Sequence, residues 1–194
     1  MIDKTELYID GAWVKSRDGN VIPVINPATE EEYASITLAG KADTESAIAA
    51  AKRAFPSWSM TSPEERLDYL KKILEVYQSR ELEMAQVISE EMGAPINLAI
   101  SEQASSGSSH LKAFIRTLAA FEWVRPLRPG TAGQDLAYEP AGVAALITPW
   151  NWPMNQVALK VGAAIAAGCT MVLKPSEIAP MSGMLFAEMI HEAG

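Results

Sequence analysis

The sequence predicts an α/β fold: an incomplete doubly wound parallel sheet, with an N-terminal helical region and small antiparallel strands before it. Three observations predict it. Two apolar runs, Val143-Ala144-Ala145-Leu146-Ile147-Thr148 and Thr170-Met171-Val172-Leu173, flank a helical segment from Pro153 to Ala167 that Gly168 stops. That is the pattern of a βαβ unit with buried strands and a right-handed crossover. From Asp43 onward apolar residues recur at a period near 3.6, whereas residues 6–38 alternate like strands.

In the strand region, Asp10-Gly11 and Asp18-Gly19 are favoured two-residue hairpin signals. Asn26-Pro27-Ala28-Thr29 is a turn, because Pro27 disfavours helix at Asn26 and Asn tolerates turn geometry. The first helix follows an Asp43 N-cap and carries Ala47, Ile48, Ala51, Phe55 and Trp58 on one face. Ser62-Pro63-Glu64-Glu65 is a capping box with Pro at the first helical position, ahead of Leu67, Leu70, Leu74 and Tyr77. A third helix runs from about Arg80 to Met92, stopped by Gly93 with Pro95 beyond. The small polar stretch Ser101 to Ser109 reads alone as a linker. Ile100, Gly107, Phe114 and Phe121, however, repeat every seven residues across it. One long helix, 96–123, is therefore expected, with small residues that admit a close neighbour. Arg125-Pro126-Leu127-Arg128-Pro129-Gly130 is a boundary, and a last helix begins near Pro180.

Composition narrows the function classes. The chain has 194 residues with 16 basic and 24 acidic side chains, a net charge of −8. The acidic balance, with no Lys/Arg cluster, argues against nucleic acid or an anionic membrane as partner. A single cysteine forbids an internal disulfide and points to a reducing compartment, and no apolar run approaches a membrane span. The expected location is the cytoplasm.

Ligands of open α/β sheets bind beyond the carboxyl ends of the strands. Two segments stand there. In Thr148-Pro149-Trp150-Asn151-Trp152-Pro153 the prolines fix φ on both sides of Asn151. Its amide either stabilises an oxyanion or merely satisfies the turn or helix end. In Leu173-Lys174-Pro175-Ser176-Glu177 a carboxylate and a lysine suit ribose hydroxyls or phosphate, or form a surface ion pair. No Gly-x-Gly-x-x-Gly is present. Cys169 reads as a buried structural thiol, and His110 and His191 as structural or surface residues, with no metal-ligand pattern among them.

These residues closely resemble the NAD(P)-dependent aldehyde dehydrogenase superfamily. The likeness runs through Asn26-Pro27-Ala28-Thr29, Phe55-Pro56-Ser57-Trp58 with Glu65-Arg66, Glu91-Met92-Gly93-Ala94-Pro95 and Glu139-Pro140-Ala141-Gly142-Val143. It is most specific in the two strand-end segments, where 23 residues separate Asn151 from Lys174. The resemblance implies a Rossmann-like cofactor domain and oxidation of an aldehyde to a carboxylic acid (EC 1.2.1 type). The reaction proceeds through a thiohemiacetal and thioester on an enzyme cysteine. Asn151 becomes the oxyanion donor and Lys160 a second residue near the catalytic centre. Ile147, Thr148, Pro149, Trp150, Lys174, Ser176 and Glu177 become cofactor contacts, with NAD expected and NADP the second choice.

The same likeness implies that Trp152, Asn155, Gln156 and Leu159, which share one helical face, line an aldehyde tunnel of mixed polarity. A monovalent cation is often held nearby in the family, with Glu91 a candidate oxygen; no metal site is assigned. Residues 1–125 and 141–194 correspond to the cofactor domain and 126–140 to an oligomerisation strand, implying a homodimer or homotetramer for the full-length protein. In the family the nucleophilic cysteine, the general-base glutamate and a glycine-containing loop lie beyond the position of Gly194. The chain is therefore expected to be an amino-terminal fragment, inactive alone. The alternative is a non-catalytic scaffold or association module, which would not require Asn151, Lys174 and Glu177 together.

Overall fold

Asp10 and Gly11 adopt positive φ of 56° and 75°, the geometry of a tight hairpin between β2 (Glu6–Ile9) and β3 (Ala12–Lys15). This computed structural model describes residues 2–130 and 133–194. Asp18-Gly19 does not make the second hairpin that the sequence suggests. β3 pairs only with β2, and a separate sheet has the order β1-β5-β4, in which β1 (Ile2–Lys4) runs parallel to β5 (Glu31–Leu38). β4 (Asn20–Asn26) is antiparallel to β5. Their turn is built as expected: Ala28 N–H donates to Asn26 Oδ1 at 2.9 Å. Asp18 is instead used as a remote helix cap, accepting from the Ala42 N–H at 2.9 Å.

That cap moves the first helix. α1 spans Lys41–Trp58 behind Gly40, so Asp43 is the third helical residue and not the N-cap. Its carboxylate is buried and accepts from the Ser16 hydroxyl and the Arg17 N–H. α1 buries Ala50 and Ala51, while Ile48 stays exposed. α2 (Pro63–Ser79) begins as the capping box requires: Glu65 N–H donates to Ser62 Oγ at 3.2 Å, and Ser62 N–H to Glu65 Oε2 at 2.6 Å. α3 (Glu81–Met92) stops at Gly93, whose φ of 76° ends it without Cβ strain.

The predicted long helix exists but is interrupted and shorter. A turn at α4 (Ile96–Leu98) leads into a π-helical segment, Ala99–Ala104, and then α5 (Ser105–Ala119). The wider π turn shifts the phase of the seven-residue pattern. Ala99 is therefore buried and Ile100 exposed, and Phe121 lies beyond the helix end, 42% exposed. Gly107 does what was expected of the small residues and sits against Tyr77; across the next interface Gly162 packs against Phe114 of this helix.

At the boundary, β6 (Val124–Pro126) pairs antiparallel with β7 (Asp135–Ala137). β8 (Val143–Ile147) and β9 (Thr170–Lys174) are parallel, joined by α6 (Pro153–Ala166), and α7 (Met181–Ala193) follows. Thr170 Oγ1 donates to the Ala51 carbonyl at 2.8 Å, tying α1 to β9. The main core lies where α2, α3, α5, α6 and α7 meet, around Leu70, Tyr77, Met84, Leu111, Met154 and Phe186, all fully buried. Ala145 and Ile147, alternate residues of β8 and hence on one face, remain exposed, Ile147 at 70%. No helix of the described residues is long and apolar enough to cross a membrane.

Candidate active site

Because β8 and β9 are parallel and in register with Ile147 opposite Lys174, the segments that leave them emerge side by side. The Thr148 N–H extends the ladder to the Lys174 carbonyl at 3.2 Å. Ile147, Pro149 and Trp150 leave apolar surface exposed at this edge, while Thr148 is buried, its hydroxyl without a partner among the described residues. On the adjacent loop Lys174 Nζ donates to Glu177 Oε2 at 2.7 Å, both side chains about half exposed. That contact holds the Glu177 carboxyl below its ordinary range. Ser176 turns inward: it is buried, and its Oγ accepts from the Ile178 N–H at 3.2 Å, shaping the loop. A cleft of about 340 Å³ opens here, lined by Trp150, Glu177, Ile178, Ile25, Pro27 and Glu91. A larger cleft of about 670 Å³, beside Lys4, Trp13, Lys15 and Glu188, includes none of the candidate residues.

Asn151 stands at the corner between β8 and α6. It is exposed, and its amide has no hydrogen-bond partner among the described residues. The N-cap of α6 is Trp152, with no side-chain cap bond. Asn151 therefore does not serve the helix end or the turn, the structural role open to it on residue type. Pro153 and Met154 turn into the core, as do Val157, Ala158 and Val161. Trp152, Asn155, Gln156, Leu159 and Lys160 are left on the less buried side. One helix thus supplies both a packed face and a semi-polar face, and it follows directly on the corner that holds Asn151.

Two hydrogen bonds organise that face. His110 on α5 reaches Asn155, Nε2 to Oδ1 at 2.6 Å, and Lys160 Nζ donates to Gln156 Oε1 at 3.0 Å. The contact of Gly162 with Phe114 brings α5 and α6 close enough for the first. From sequence His110 reads only as a structural or surface residue, because 45 residues separate it from Asn155 and nothing local pairs them. Glu91 is placed otherwise than as a free oxygen donor. Both its oxygens accept from the start of α7, from the Met181 N–H at 2.5 Å and the Ser182 N–H at 3.2 Å. Burial pushes its carboxyl up to about 7. Cys169 is buried, as the apolar strand entrance implies.

The family model "Aldehyde dehydrogenase family" matches residues 13–194. The 3-succinoylsemialdehyde-pyridine dehydrogenase of a Pseudomonas species is 46% identical over the whole chain. An aldehyde dehydrogenase from Bartonella henselae superposes with a TM-score of 0.98 at 51% identity, over 100% of this chain and 40% of that one. Aldehyde dehydrogenase C from Pseudomonas syringae, solved with NAD+ and octanal, gives 0.93 at 45%, over 98% of this chain and 38% of that one. The chain spans about 40% of the length of the curated relatives it matches. A likeness of this extent, from the antiparallel strands to the last helix, places the chain in the aldehyde dehydrogenase family.

Proposed function

We propose that this chain is the amino-terminal part of an enzyme that oxidises an aldehyde to a carboxylic acid with NAD, NADP being the poorer acceptor. The observation that carries the reading is the unpartnered Asn151 amide. It is held in a proline-flanked corner between the strand ends and the first turn of α6. Asn151 Nδ2 donates to the oxygen on which negative charge develops as the aldehyde carbon is attacked, and its rigidity means little reorganisation is needed. Lys160, fixed by Gln156, supplies a positive charge on the same side. Trp152, Asn155, Gln156 and Leu159 guide the aldehyde.

The strand-end residues fit a dinucleotide: an exposed carboxylate for a ribose diol, a lysine beside it, and the apolar surface of Ile147, Pro149 and Trp150. Ser176 shapes that loop and Thr148 keeps its backbone in register. Bound there, the dinucleotide would supply the hydride acceptor. Residues 1–125 and 141–194 form the cofactor domain in this reading. Segment 126–140, with its exposed Leu127 and Tyr138, pairs subunits into a homodimer or homotetramer. The unpaired Cys169 suits a reducing cytoplasm. The test is Asn151→Ala in the complete polypeptide. We expect kcat to fall about 10²–10³-fold while NAD affinity is retained; an unchanged kcat rejects the oxyanion role.

A further inference from the structure

We propose that Glu91 is a positioning residue for the cofactor: by fixing the start of α7 it holds the Lys174–Glu177 loop in the conformation that receives the dinucleotide. The proposal rests on the reading of Lys174 and Glu177 as ribose contacts, and it adds the residue on which their placement depends.

α7 lacks a cap of its own. Its first N–H groups have no partner within the helix, and Pro180 ahead of it offers no side-chain acceptor. Glu91 supplies the acceptors from the last turn of α3, taking the Met181 N–H at 2.5 Å and the Ser182 N–H at 3.2 Å. The carboxylate is only 2% exposed, so bulk water does not compete for these bonds. The Met181 side chain closes the same joint, packed in a smaller core with Val24, Ala34 and Ile36.

The cofactor loop rests on that joint. β9 ends at Lys174 and α7 begins at Met181, leaving only residues 175–180 between two fixed points. Pro175, next to Lys174, lies on the first turn of α7: a Cβ at Gly183 would stand 3.1 Å from Pro175 Cβ and Cγ. The Ser176 bond to the Ile178 N–H then shapes the turn that presents Glu177. Glu91, Trp150, Glu177 and Ile178 line one cleft. Releasing the first turn of α7 therefore frees Pro175, and with it the Lys174–Glu177 pair; ordering them again weakens cofactor binding. Asn151 stands on the β8 corner, outside this path, so the chemical step does not depend on Glu91.

The experiment uses the complete polypeptide carrying Glu91→Ala, Glu91→Gln or Gly183→Ala, with Gly107→Ala as a destabilised control at a remote interface, all at one pH and salt concentration. Titration calorimetry reads NAD binding, and amide hydrogen exchange of segment 174–186 is followed without cofactor. We expect Glu91→Ala to raise Kd and KM for NAD about 3–30-fold and to speed exchange in the segment. Its kcat and its KM for the aldehyde should stay within about twofold of the unaltered enzyme. Glu91→Gln, which keeps one carbonyl acceptor, restores most of the loss. Gly183→Ala removes no hydrogen bond but displaces Pro175, and weakens NAD in the same direction. Gly107→Ala lowers stability without changing Kd. Unchanged NAD affinity in Glu91→Ala, or in Gly183→Ala should the first not fold, overturns the proposal. So does a loss shared equally by kcat, both KM values and the Gly107→Ala control. If Glu177→Gln weakens NAD and Glu91→Ala does not, the ribose reading stands and the proposal alone fails; if neither matters, both fail.

Discussion

Tyr77 lies directly against the backbone of Gly107, where a Cβ would stand 2.3 Å from its hydroxyl oxygen. The hydroxyl donates to the Ala104 carbonyl at 2.7 Å, at the end of the π-helical segment. A glycine on α5 and a buried tyrosine on α2 thus define one interface, and the tyrosine hydroxyl ties α2 to the backbone where the π-helical segment meets α5. Gly107→Ala should destabilise the protein by about 2–4 kcal/mol, from overpacking and loss of this hydrogen bond. Ser109→Ala, on the exposed side of the same helix, should change stability by under about 0.5 kcal/mol. Urea unfolding of the two variants checks the contrast.

Glu91 makes stability depend on pH in the direction opposite to a surface carboxylate. Burial raises its folded pKa from 4.5 to about 7. Its stabilising contribution is therefore fully present below about pH 4.5 and is lost as pH rises through 7. Glu91→Gln has no such titration. The difference in thermal midpoint between the unaltered protein and the variant should shift in favour of the variant between pH 5 and 8. A difference that is flat with pH would show that Glu91 does not titrate there.

Glu177 should set cofactor preference. Lys174 keeps its carboxyl ionised throughout the neutral range, and a 2′-phosphate would place like charges together while Lys174 offsets part of the repulsion. A moderate preference for NAD is expected in the complete enzyme. Glu177→Gln should weaken NAD and narrow the gap to NADP. Equal kcat/KM for the two cofactors, unchanged by the substitution, would remove Glu177 from the ribose.

The capping box of α2 gives a local test. Ser62→Ala leaves the Glu65 N–H without its acceptor and should cost about 1 kcal/mol. Glu65→Ala should cost a similar or smaller amount, and the double variant less than the sum, because each side chain caps the other's backbone. Denaturant midpoints at fixed pH measure all three.

The sequence by itself determined the elements whose cause is local. The Ser62 box starts α2, Gly93 and Gly168 stop helices through positive φ, Asp10-Gly11 closes a hairpin, and the apolar runs of β8 and β9 are strands. It also located Asn151, Lys174 and Glu177, because proline-flanked corners and strand ends are legible from residue order. Tertiary structure decided what depends on remote partners. Asp18 caps α1 from the loop between β3 and β4, so the helix starts at Lys41 and Asp43 becomes a buried acceptor. The π turn rotates Ile100 out of the core, a change of phase that a seven-residue spacing cannot register. Glu91 turns to the start of α7 some ninety residues on, and His110 pairs with Asn155 only because Gly162 lets α5 approach α6. Periodicity records which side of a helix is apolar. Which polar group meets which across the interface is set by the packing of whole elements.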